Sequence, residues 1–197
     1  MKTSSSSHCL AALLLAALLL AAFPGAASAA DDGGGGRRSS LYYVQTGAGI
    51  NAACDRFTTG GGRLIGITPA VDLVAGINPL DGLGVRLGYQ GFSARLRGEG
   101  TFSYSYLHAD ICCNITDMRR VRCGRFIARP YVEAGVALTG RSSFGLGIGA
   151  VLGCRINGRL DLVLDCRATR FARGDALVRG TRRCGDGSAT VCLVYNF

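Results

Sequence analysis

From Tyr42 onward, apolar and polar positions alternate with a period of two, the spacing of strands that face two different surroundings. The clearest case is at the end of the chain. Ala189, Val191, Leu193, Tyr195 and Phe197 form one face, and Thr190, Cys192, Val194 and Asn196 the other. The same pattern predicts strands over 42–54, 65–77, 82–92, 102–115, 125–138, 143–156, 160–171 and 189–197. In the third, Leu83, Val85, Leu87 and Tyr89 stand against Gly84, Arg86, Gly88 and Gln90. In the sixth, Phe144, Leu146, Ile148, Ala150 and Leu152 stand against glycines at 145, 147, 149 and 153.

The links between these segments alternate in length. Short turns are expected at 78–81, 116–124 and 157–159, the last around Asn157-Gly158, a strong hairpin signal. Loops are expected at 55–63, 93–100, 139–142 and 172–188. Pro69 cannot donate a ladder hydrogen bond, which puts it at a strand end or bulge. The expected fold is all-β: an eight-stranded antiparallel up-and-down transmembrane barrel, with both chain ends on one side.

Several stretches resemble the small outer-membrane barrels of the OmpA/OmpX and opacity types. They are Arg129-Pro-Tyr-Val-Glu-Ala-Gly-Val136, the glycine-alternating sixth strand and the terminal Val194-Tyr-Asn-Phe197. The resemblance implies a place in the bacterial outer membrane, in contact with lipid and lipopolysaccharide. It also implies that Val191, Leu193, Tyr195 and Phe197 are read as an assembly signal by the barrel assembly machinery. Roles in adhesion or envelope integrity come with it. A soluble barrel of the lipocalin kind would turn its apolar face inward and carry many mixed charges outside. Here the polar face is mostly Gly, Ser, Thr, Asn and Gln, which suits a narrow lumen.

The first 29 residues read as a signal peptide: Met1-Lys2, an apolar core over 9–23, Pro24-Gly25, then Ala27-Ser28-Ala29. Residues 30–40, with four glycines at 33–36, read as a flexible leader before a barrel over 41–197. Cleavage would leave about 168 residues and remove the only lysine, lowering the net charge from +9 to +8. The remaining basic residues are scattered arginines, and together with export this excludes nucleic acid. With no CxxC spacing, and His108 as the one histidine beyond residue 29, no metal, cofactor or catalytic residue is expected.

The inward faces would hold Asp72, Arg86, Asp110, Glu133, Arg155, Asp161, Asp165 and Arg167. Hairpin spacing sets Arg155 opposite Asp161 and Asp72 opposite Arg86. Two readings stand: an internal ion-pair network that plugs the barrel, or a polar path for small solutes. His108 and Asp110 could be joined to Ser103 or Ser105 as a hydrolase triad only if both faces of one strand coincided. Residues 145–150 mimic a dinucleotide fingerprint with no helix after it.

Eight cysteines lie beyond the leader. Cys54 and Cys184 could staple the seam between the first and last strands, and Cys123 could reach Cys112 or Cys113. The alternative is free thiols, with Cys113, Cys154 and Cys166 facing lipid. The loop at 172–188, with Arg173, Arg179, Arg182 and Arg183, is the expected contact surface for lipopolysaccharide or an extracellular acidic partner. The expected function is a structural or surface-interaction role carried by the loops. A narrow pore is the alternative, and a lipid-modifying enzyme a third, fainter reading.

Overall fold

The computed structural model describes residues 41–55, 63–80, 82–96, 100–117, 125–138, 143–172 and 184–197. The expected signal peptide and leader lie outside them. Eight strands close into one barrel in chain order: β1 (Tyr42–Asp55), β2 (Arg63–Leu80), β3 (Leu83–Leu96), β4 (Gly100–Cys113), β5 (Phe126–Ala137), β6 (Ser143–Arg155), β7 (Leu160–Phe171) and β8 (Cys184–Asn196). Every neighbouring pair is antiparallel. Closure comes from β1 against β8, paired from Tyr43–Asn196 to Asp55–Cys184. Beyond that ladder the Phe197 N–H donates to the Tyr42 carbonyl at 3.0 Å. Among the described residues every strand pairs with a neighbour on each side, which meets the condition for a sheet to stand in hydrocarbon.

The two faces of the wall are inverted relative to a soluble protein. Ile148, Leu87, Ile111, Leu146 and Val191 are each more than half exposed on the outside. Arg86, Gln45, Gln90, Asp161, Thr169 and Asp186 are fully buried on the inside. Among the described residues no helix is long and apolar enough to cross a membrane; the apolar surface belongs to strands.

Several element ends differ from the sequence pattern. β3 reaches Leu96, and β4 begins at Gly100 and ends at Cys113, followed by a 3-10 turn at Ile115–Asp117. β8 starts at Cys184, because Cys184 and Gly185 pair with Asp55 and Cys54 although 184–188 lack an apolar period. Residues 184–188 of the loop expected over 172–188 therefore belong to β8.

β2 continues to Leu80, so the turn falls later than expected. Asn78 stays in the wall, its N–H donating to the Leu41 carbonyl at 2.8 Å. The register shifts between Ile77 and Leu80, and Gly82, with a positive φ of 81°, carries the chain into β3. The expected Asp72–Arg86 cross-strand pair consequently does not form: Asp72 stands opposite Gln90, and Arg86 opposite Gly76. The shorter β6–β7 hairpin keeps its register, with Arg155 opposite Asp161.

Candidate functional site

Among the described residues, ionisable side chains converge in the lumen, and it is filled in layers. At the end where β1 begins and β8 finishes, Tyr43, Ile127, Val151, Val163, Val194 and the Cys112 thiol form a buried apolar cluster. The Arg129 guanidinium lies 4.8 Å from the centre of the Tyr43 ring. Asn114 Nδ2 donates to Asn78 Oδ1 at 2.7 Å, closing this end with a neutral polar contact.

Above it sits an ionic layer. Arg86 has no exposed surface; its guanidinium lies 2.7 Å from Asp110 and 3.3 Å from Asp165, and 3.9 Å over the Tyr131 ring. Tyr131 donates its hydroxyl proton to Asp165 at 2.6 Å, and Gln45 Nε2 donates to the same carboxylate at 2.8 Å. Arg167 donates to Asp72 at 3.0 Å and to His108 Nε2 at 2.9 Å. Because a guanidinium can only donate, Nε2 accepts, and the ring proton sits on Nδ1, which donates to Asp110 at 2.7 Å. Glu133 accepts from Thr169 through Oε1 and lies 3.6 Å from Arg167 through Oε2. Charges sealed from water persist only when paired, and here each arginine serves more than one carboxylate.

Glycines make the room. His108 stands opposite Gly88, Tyr131 opposite Gly149, and Tyr43 opposite Gly76. In each case the ring lies against the glycine backbone where a Cβ would collide with it. The alternation of glycine with large side chains is thus a packing code for a narrow lumen.

All eight sequence-identified interior charges lie on the inner wall. Seven are buried, and Arg155, at the terminal end, is partly exposed and 3.2 Å from Asp161. Two further buried charges were not among them, Arg129 and Asp186. Arg129 shares parity with Tyr131 and Glu133. Asp186 shares parity with Ser188 and Thr190, and donation from Asn51 reaches it at 2.8 Å. Arg129 lies within the expected fifth strand and follows from its alternation, whereas Asp186 lies three residues before the expected start of the last strand.

Other candidates separate. Ser105 contacts Tyr89 through their hydroxyls at 3.0 Å and lies on the opposite face from His108, so it completes no triad; the Ser103 side chain lies outside the described residues. The glycine run of 145–150 is the inner face of β6. Cys112, Cys113, Cys154, Cys166 and Cys192 are free thiols, while Cys123 lies outside the described residues. Register places Cys54 beside Gly185 and Cys184 beside Asp55, with both cysteine side chains outside the described set. Arg173, Arg179, Arg182 and Arg183 also lie outside it.

No protein-family model and no curated protein matches the sequence. Solved structures do match. Neisserial surface protein A aligns with a TM-score of 0.58 at 16% identity, covering 82% of this chain and 100% of its own. Ail, the attachment invasion locus protein of Yersinia pestis, aligns at 0.51 and 14% identity, covering 81% and 99%. The likeness is one of fold.

Proposed function

We propose that this chain, a barrel with the fold of the small eight-stranded outer-membrane proteins, stands in the bacterial outer membrane as a rigid post. On this reading its outer loops do the work. The observation that carries the reading is the filled lumen: Arg86, Arg129, Tyr43, Tyr106 and Phe171 are all fully buried side chains inside it. A lumen closed by its own side chains leaves the outer wall and the loop end as the surfaces that meet other molecules. The exposed apolar belt is what a bilayer requires of the wall.

The β7–β8 link, residues 173–183, carries Arg173, Arg179, Arg182 and Arg183 in its sequence. Such an arginine-rich segment matches anionic head groups or an acidic partner, because guanidinium pairs with phosphate and carboxylate in bidentate fashion. The names of the two similar proteins, a surface protein and an attachment invasion locus protein, fit a surface role.

The test replaces residues 173–183 by a two-residue Asn-Gly turn. Folding of the variant is checked by heat-modifiable gel migration, and its binding to lipopolysaccharide-containing and phospholipid-only vesicles is compared with that of the parent chain. Selective binding by the parent that disappears in the variant supports the reading. Equal binding by both removes the loop from it. In planar bilayers the parent is expected to stay electrically silent, and reproducible discrete openings would replace this reading with the narrow pore.

A further inference from the structure

We propose that His108, Asp110 and Glu133 form a divalent-cation site inside the barrel, suited to an ion such as manganese(II). Asp110 and Glu133 are direct cross-strand partners on β4 and β5, and His108 lies two positions from Asp110 on the same inner face. One donor atom from each falls within 4.8 Å of the others, and all three residues are buried. His108 Nδ1 lies 2.7 Å from Asp110 Oδ1 and 4.0 Å from Glu133 Oε2. An ion about 2.1 Å from each of two donors holds them up to about 4.2 Å apart, so the 2.7 Å contact has to open, and a pair near the 4.8 Å bound has to close by a fraction of an ångström. One imidazole nitrogen with two carboxylates suits manganese(II) or zinc(II).

Two observations favour a cation at this cluster. Glu133 Oε2 is sealed from water and accepts no hydrogen bond, although it faces the cluster. The charges of the ionic layer also do not balance among the described residues. Asp72, Asp110, Glu133 and Asp165 face two guanidinium groups, Arg86 and Arg167, with the His108 imidazole as their other ionisable neighbour. A divalent ion supplies the difference where solvent cannot. Coordination at Nδ1 moves the imidazole proton to Nε2, and no proton leaves the ring. The contact from Arg167 to Nε2 is then given up, while its ion pair with Asp72 holds the guanidinium nearby.

Manganese(II) is the probe because it prefers carboxylate and imidazole to the thiols this chain carries. The chain with His8→Ala, leaving His108 as its only histidine, is refolded in detergent with manganese(II), desalted and examined by atomic emission and electron spin resonance. The expected result is one ion per folded barrel, with nitrogen coupling from a single imidazole. His108→Asn and Glu133→Gln, checked for folding by heat-modifiable migration, lose the ion, while Arg155→Ala keeps it. A folded parent that retains no manganese overturns the proposal. So does bound manganese without imidazole coupling, a readout that stands even where a variant does not fold. Retention of the ion by both folded variants overturns it as well.

Discussion

At the terminal end of the lumen, Ile127, Val151, Val163 and Val194 fill the space with aliphatic carbon. One layer further in, the same cross-section holds Arg86, Asp110, Asp165, Arg167 and Asp72 in mutual contact. Both layers exclude water, but they answer differently to damage. Trimming a methyl group from an apolar layer costs transfer energy and a small cavity, and the neighbours can relax toward it. Removing one arginine strands the carboxylates it served, and no neighbour can stand in for a charge. The apolar end therefore gives a graded seal, and the ionic layer behaves as a unit.

The sharpest way to break that contrast is Arg86→Met, which keeps the bulk and leaves Asp110 and Asp165 short of a partner. A loss of about 3–5 kcal/mol is expected in urea unfolding from micelles. A loss no larger than that of a valine truncation would mean that the ionic layer is not a unit. Outside the lumen, Leu164→Arg puts a charge on the exposed apolar belt and should cost about 2–4 kcal/mol for folding into lipid vesicles. A neutral effect there would count against a bilayer around the wall.

Val194→Ala, in the fully buried apolar cluster, should cost about 2 kcal/mol in the same urea titration. The glycine seats compare the two layers by one substitution. Gly76→Ala presses on Tyr43 and Gly88→Ala on His108, each costing about 1–3 kcal/mol. Gly88→Ala should be the worse of the two, because displacing His108 also disturbs Asp110 and Arg167. Equal penalties would erase the distinction. The smallest effect belongs to Arg155→Ala. Its pair with Asp161 is partly open to water, so a change under about 1 kcal/mol, shrinking further in high salt, is expected from denaturation curves at two ionic strengths.

Strand number, the inward or outward direction of side chains within the recognised strands and eight of the inward charges were legible in the chain itself, while Arg129 and Asp186 were not picked out. Alternation is a local property: once Leu162 and Leu164 face out, Asp161, Val163 and Asp165 must face in. Even the Arg155–Asp161 pair could be read, because a tight hairpin at Asn157-Gly158 leaves one register. Where an apolar period was missing, as at 184–188, the strand was overlooked, although its backbone pairs as well as any other.

What only the closed barrel decided is which interior charges meet. Asp72 finds Arg167, 95 residues away, and Arg86 finds Asp165, 79 residues away. These contacts cross the lumen, so they depend on closure, strand tilt and the stagger accumulated from every turn. A later turn between β2 and β3 was enough to turn the expected Asp72–Arg86 pair into two different ones. The gathering of His108, Asp110 and Glu133 under Arg167 has the same origin. Neighbouring strands supply the three donors, but a strand from across the barrel delivers the arginine that shares them.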